Sequence, residues 1–307
     1  MKGARRRPAP GLVGLLFVSP WLAGFAAFLA APIALTLYYS FTDYTVLEPP
    51  LWIGLENYGR LWHDPVFWKV LRNTAVYVFV GVPLCTAAAI AIACLLNTPV
   101  RFRGFWRAMV FLPSLVPLVA AAMVWMWMFN GELGLINNAL DPLLGVVNAV
   151  LGTELRGPNW LGSPNWVMPS LILMSLWGIG NAVVIYLAAL QDVPASLYEA
   201  AALDGVSPSG RFLHVTLPMI SPVVLFNVIV GIIAAWQVFA VPYVMLGTSG
   251  GPDRAGYFYT TYLYDNAFPY SKMGYASAMA WVQLLIVLAL TWFTIVSSRR
   301  LVYYRGA

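Results

Sequence analysis

The sequence predicts an all-α polytopic membrane protein with six membrane-spanning helices. Three observations carry that expectation. Only 9% of the 307 residues are charged while 61% are hydrophobic, whereas a water-soluble domain carries about 25% charged residues. So few charges cannot cover a globule of this size, and the bilayer must serve as part of its solvent. Apolar runs of about 20 residues, long enough to cross hydrocarbon at about 1.5 Å per residue, occur six times. Tyr and Trp are abundant, as expected of side chains that favour membrane interfaces.

The six runs cover residues 12–37, 74–96, 108–129, 167–190, 220–246 and 275–296. Arg5, Arg6 and Arg7 precede the first, as they would in a signal peptide. That run is longer than the 7–15 residues of such a peptide's apolar core, so it is read as an uncleaved span. The chain is then a cytoplasmic tail over 1–11, one permeating domain over 12–298 and a cytoplasmic tail over 299–307.

Charge orients the spans. With the N-terminus in the cytoplasm, the cytoplasmic segments hold 11 of the 17 Lys and Arg residues and the outer segments 6. Short basic loops lie on the cytoplasmic side, so both termini are expected there. The same placement accounts for the pI near 9.2: the cations flank spans rather than line a nucleic-acid groove, and no nucleic-acid partner is expected.

The sequence also bounds the chemistry. No charge falls near the middle of a run, so the ionisable group that an ion-driven carrier keeps in the membrane is missing. A phosphate-binding loop needs a lysine followed by Ser or Thr, and none of Lys2, Lys69 and Lys272 is so placed. Energy is therefore expected from partner subunits that bind ATP, with no cofactor on this chain. No H-E-x-x-H, paired aspartates or G-x-S-x-G falls in the spans, so no catalytic residue is assigned. His63 and His214 lie in separate loops, and Cys85 and Cys94 read as small apolar fillers. No metal site is expected.

The 191–219 segment carries the most pattern. Pro194 suits a first helical turn, the alanines that follow favour helix, and Gly205 suits the left-handed residue past a helix end. The spacing predicts a helix of about ten residues ending at Asp204. A second helix starts at Ser207-Pro208 and stops near Leu217-Pro218, which makes an elbow. Asp204 at a helix C-terminus is electrostatically misplaced; it marks either an ordinary Asp-Gly turn or a partner contact.

Glu199-Ala200-Ala201, Asp204-Gly205 and Leu217-Pro218 together resemble the EAA motif of ABC-importer permeases. Gly54-Leu55-Glu56-Asn57-Tyr58, Arg103-Gly104-Phe105-Trp106-Arg107 and Thr248-Ser249-Gly250-Gly251-Pro252 are similar to segments of the carbohydrate-uptake, maltose- and glycerol-phosphate-type permeases. The resemblance implies a type I ABC importer permease fold and a cytoplasmic coupling helix. Its implied partners are a second homologous permease, a dimer of ATP-binding subunits and an extracytoplasmic solute-binding protein, beside the lipid bilayer. It implies that Glu199, Ala200, Ala201, Asp204 and Gly205 dock the ATP-binding subunit.

A sugar or related polyol is the expected solute. The alternative is a glycerol-3-phosphate, glycerophosphodiester or other non-sugar permease. Amides beside aromatic rings suit a neutral sugar, which makes Asn181, Asn227, Trp236, Gln237, Tyr243 and Gln283 candidate contacts. The same side chains can instead glue spans together or anchor them at the interface.

Overall fold

The computed structural model describes residues 10–99, 101–298 and 302–303. The expected terminal tails fall largely outside the described residues. Four helices are long and apolar enough to cross a membrane: Gly14–Ser40, Pro65–Asn97, Pro208–Trp236 and Met273–Ser298. Two broken pairs also qualify. Arg103–Leu115 and Leu118–Met128 meet at 98°, and Pro164–Trp177 and Gly180–Gln191 at 50°. Counting each pair as one span gives up to six.

Prolines explain most departures from straight helix. Three five-residue π turns, Ala26–Ala30, Tyr77–Gly81 and Phe212–Thr216, are each followed two residues on by proline: Pro32, Pro83 and Pro218. A proline ring strikes the carbonyl four residues back and cannot donate to it. Those carbonyls belong to Phe28, Phe79 and His214, all inside the wide turns. The π turn moves the carbonyl aside and the helix continues.

This corrects two expectations. The second arm of the elbow does not stop at Leu217-Pro218; it runs through the π turn into Leu217–Trp236. The fifth run is not one helix to Leu246. It ends at Trp236, and a separate helix, Ala240–Leu246, follows. Pro242 would cost a hydrogen bond inside a continuous helix but is tolerated in a first turn. In the third run, Pro113 and Pro117 flank the bend.

The chain forms two compact units. One contains the residues up to His63 with Leu263–Gln283. Its first long helix is unburied over its apolar window and ends in a small hairpin that pairs Thr42 with Trp52. Asn57, 1% exposed, donates both amide hydrogens to the hairpin, to Ser40 O at 3.0 Å and Thr42 O at 2.9 Å. The Tyr58 hydroxyl donates to Ser40 Oγ at 2.8 Å. The Gly-Leu-x-Asn-Tyr pattern is thus a clamp on the turn after the first long helix. Asn57→Ala would strand two buried carbonyls, each worth about 1–3 kcal/mol. A thermal-unfolding shift of several degrees in detergent checks this, with Asn57→Asp as the isosteric comparison.

The other unit contains Asp64–Tyr262 and the chain from Leu284 onward. One of its cores packs Ala89, Ile90, Ala93 and Leu96 of the second long helix against Val183, Tyr186, Leu187 and Leu190 of the fourth run, with Ile220 of the fifth. The alanines allow the close approach, as is usual between membrane helices. A second core gathers Trp125, Phe129, Trp160, Leu171, Met174 and Phe258 beside the third and fourth runs. An amphipathic helix, Leu135–Leu151, which the sequence reading left out, leads into the loop carrying Trp160. Its Asn137 fixes that loop, accepting from Trp160 Nε1 at 2.8 Å and donating to Pro158 O at 3.2 Å.

Candidate functional site: an elbow joined to a membrane cavity

The elbow begins with Ala195–Leu203, a nine-residue helix with Pro194 as its extended cap. Its end follows the Schellman pattern: Val206 N–H donates to Ala201 O at 3.0 Å and Gly205 N–H to Ala202 O at 3.2 Å. That geometry needs a left-handed residue, and Gly205 supplies it at φ +70°. A Cβ there would meet nothing within 4 Å, so the constraint is conformational, not steric. The next turn is capped by Ser207 Oγ, which accepts from Gly210 N–H at 3.2 Å. Arg211 Nε donates to Val206 O at 3.0 Å, and the Tyr198 and Thr216 hydroxyls lie 3.0 Å apart. These bonds tie the short helix to the root of Leu217–Trp236.

Glu199, Ala200, Asp204 and Gly205 are exposed, whereas Ala201 is buried in the chain itself. Leu203, at 90% exposure, is the most solvent-open large hydrophobic residue among the described residues. Sequence reasoning passed over it. Helical spacing could have found it, since Leu203 stands one turn after Glu199.

Gln191 and Leu217, the two ends of the elbow, open directly into helices Gly180–Gln191 and Leu217–Trp236. Both helices line the same cavity of about 380 Å³, which Tyr77, Cys85 and Thr86 line from a third run. The cavity lies where the fourth run breaks at Gly178 and Ile179, which are among its lining residues. Interrupted backbone at membrane depth is tolerated where it lines a cavity, and discontinuous helices mark solute sites in transporters. Close packing requires glycine beside the break: a Cβ on Gly180 would sit 2.5 Å from Val110 O.

The polar lining comprises Tyr77, Thr86, Ser175, Tyr186 and Asn227, with no charged residue. Ser175 Oγ donates to Ile172 O at 2.7 Å and lies 3.4 Å from Cys85 Sγ. Asn227 Nδ2 donates to Val223 O at 2.9 Å, which directs the amide within its own helix.

Of the six expected solute contacts, Asn227 alone lines this cavity. Asn181 and Gln237 are exposed. Trp236 packs with Val78, Val82, Ile232 and Val287. Tyr243 stacks on Phe239 at 5.0 Å in the separate helix after the break. Gln283 is half-buried on Met273–Ser298. The structure therefore does not gather these six, and it adds Tyr77, Thr86, Ser175 and Tyr186. Gly178-Ile179-Gly180 within an apolar run was the signal that could have found them.

The Gly250-Gly251 turn is also built rather than loose. Asn73 Nδ2 donates to Arg254 O at 2.8 Å and Tyr257 O at 3.0 Å, and Tyr259 N–H donates to Thr74 Oγ1 at 2.9 Å. Burial pushes the pKa of the Tyr259 hydroxyl up. Asn73→Ala is expected to raise amide exchange over residues 250–259 by roughly tenfold or more, as two backbone acceptors lose their donor. Hydrogen-exchange mass spectrometry reads this directly.

Long apolar helices, two of them bent pairs, fit a multi-pass membrane protein with an exposed elbow. The chain belongs to the family of binding-protein-dependent transport system inner membrane components, whose model matches residues 81–303. It is 36% identical over its whole length to the probable ABC transporter permease protein YesP of Bacillus subtilis, covering 96% of that protein. It is 35% identical to the lactose transport system permease protein LacF of Rhizobium radiobacter, over 93% of this chain and 94% of that one. It is 33% identical to the trehalose/maltose transport system permease protein MalF of Thermococcus litoralis, over 91% of each. The fold matches a chain in the crystal structure of a bacterial alginate ABC transporter with its alginate pentasaccharide-bound periplasmic protein. There the TM-score is 0.77 at 22% identity, covering 94% of this chain and 95% of the other. The protein is an ABC-transporter permease subunit of the inner membrane.

Proposed function

We propose that the chain is one of two permease subunits of an ATP-driven importer for a neutral sugar or polyol. Its six spans place both termini and the 191–219 elbow in the cytoplasm, where the elbow docks on an ATP-binding subunit. ATP is bound and hydrolysed on that partner, and a solute-binding protein delivers the sugar from outside. One observation carries the mechanism: the elbow is continuous with two of the three helical runs that wall the cavity. Displacing the elbow moves both walls together, which is the coupling an alternating-access importer requires.

Glu199, Ala200, Leu203 and Asp204 form the docking face. Ala201 keeps the helix close to the rest of the chain, and Gly205 sets the turn. The cavity's hydroxyls and amide donate and accept hydrogen bonds, and its apolar floor takes a sugar face. Its charge-free lining favours this reading over a phosphate-bearing solute, which would require a cation nearby. The relatives named for lactose and for trehalose/maltose support the same class. The test is uptake by the full transporter in proteoliposomes with ATP inside. A screen of neutral sugars against glycerol-3-phosphate should find a neutral sugar taken up. Uptake of the phosphate ester alone would overturn the solute class.

A further inference from the structure

We propose that the cleft between helices Arg103–Phe111 and Gly180–Gln191 binds one anionic phospholipid, its phosphate on Arg107 and an acyl chain along Phe111, Val184 and Leu187. The two helices touch closely at Gly180 and Val110. Beside that crossing lies a cleft of about 400 Å³ lined by Arg107, Ala108, Phe111, Val184, Leu187 and Gln191. It is separate from the solute cavity, with which it shares no residue.

The first observation is an unmet donor. Arg107 Nε is shielded from solvent and has no hydrogen-bond partner among the described residues, while the half-buried side chain lines the cleft. A shielded guanidinium N–H without an acceptor is costly, and such a group calls for an explanation. The ion pairs Arg60–Glu56 and Lys69–Asp253 lie elsewhere, and no acceptor among the described residues meets Arg107 Nε. Arginine is the side chain best shaped for a phosphate diester.

The second observation is the division of the lining. One rim carries Arg107 and Gln191, both able to donate to phosphate or glycerol ester oxygens. The rest is apolar, and Val184 is 44% exposed there. A free phosphate would use the cation and leave that wall bare. An amphiphile with an anionic head uses both.

The third is charge. Arg101 and Arg103, both exposed, stand within two turns of Arg107 and add positive potential at the same end of the helix. A net-anionic headgroup is favoured there over a zwitterionic one, whose amine would be repelled. Basic pockets between membrane helices bind acidic lipid headgroups on this principle. Gln191 also begins the elbow, so an occupant would brace the third and fourth runs at the elbow's root. The proposal rests on these helices lying in a membrane, and on nothing about the solute.

The test is native mass spectrometry of the whole transporter released from nanodiscs of phosphatidylcholine and phosphatidylglycerol. Wild type should retain phosphatidylglycerol in preference to phosphatidylcholine. Arg107→Gln and Val184→Trp should each lower that retention by roughly tenfold, with Arg107→Lys intermediate and melting temperatures unchanged. Millimolar inorganic phosphate should fail to displace the lipid. Full retention by Arg107→Gln, or no preference in wild type, would overturn the proposal. So would displacement by phosphate with Val184→Trp silent, since that marks a free-anion site. Because no transport is read, a wrong solute assignment would leave this result unaffected.

Discussion

Gly205→Asp is expected to cut ATP-driven uptake to about a tenth of wild type or less, with the chain still inserted at its normal level. Two effects act together. Gly205 sits at φ +70° and closes a Schellman end with its own N–H. A side chain in that left-handed conformation costs about 1–2 kcal/mol, although Asp tolerates it better than most residues. The substitution also places a second carboxylate beside Asp204 at a helix C-terminus, where negative charge is unfavourable. A penalty of about 1.4 kcal/mol in docking alone is tenfold. Gly205→Val isolates the conformational part: it adds no charge, but its β-branch is poorly tolerated at positive φ. Ala201→Arg should fail by a different route. Ala201 is 8% exposed, so a guanidinium there forces the helix off its seat. Membrane protein level and uptake, measured side by side, separate coupling from insertion. Normal uptake by Gly205→Asp and Ala201→Arg at normal level would remove the elbow from the mechanism.

Ala234→Trp should block transport at least as severely. Ala234 lines the cavity of about 380 Å³ together with Tyr77 and Tyr186 of other helical segments. An indole there occupies space that a sugar needs, and close-packed walls do not yield to it. Uptake is expected to fall by about tenfold or more, while Ala234→Ser transports nearly as wild type. Asn227→Ala should instead weaken apparent affinity by a few-fold, the loss of one neutral hydrogen bond of about 0.5–1.5 kcal/mol. Wild-type uptake by Ala234→Trp would mean that solute does not pass through this space.

Much of the protein was legible from residue pattern because its largest signals are physical necessities. Apolar runs had to be helices, since a backbone in hydrocarbon must satisfy itself. Gly205 had to end a helix, and it does. The less legible features all involve local competition. Pro218 reads as a stop, yet the π turn at Phe212–Thr216 absorbs it and the helix continues. Pro242 reads as one more apolar-run residue, yet it forces a restart at Ala240. Asn57 stands in sequence only as part of a family-like segment and Asn73 carries no sequence signal, whereas each spends its amide on two backbone carbonyls within the fold.

The lining of the cavity was the least legible part. Amide and aromatic content along a helix does not say which face meets which neighbour. Trp236 and Asn227 are nine residues apart on one helix, yet one packs in a core and the other lines the cavity. Facing depends on helix rotation, which the apolar pattern of a uniformly hydrophobic helix does not fix. Leu203 escaped for a related reason: an isolated leucine in an alanine-rich helix reads as core until the helix is seen to stand away from it.

On the proposed reading, a nucleotide-driven partner grips the elbow on the cytoplasmic side. Cross-linking from Leu203→Cys tests it most directly, in a chain whose Cys85 and Cys94 are replaced by alanine. In whole cells, a short bifunctional thiol reagent should join that cysteine to a cysteine-bearing ATP-binding subunit, and ATP should change the yield. Labelling of the same cysteine by a membrane-impermeant thiol reagent added outside intact cells would contradict the account.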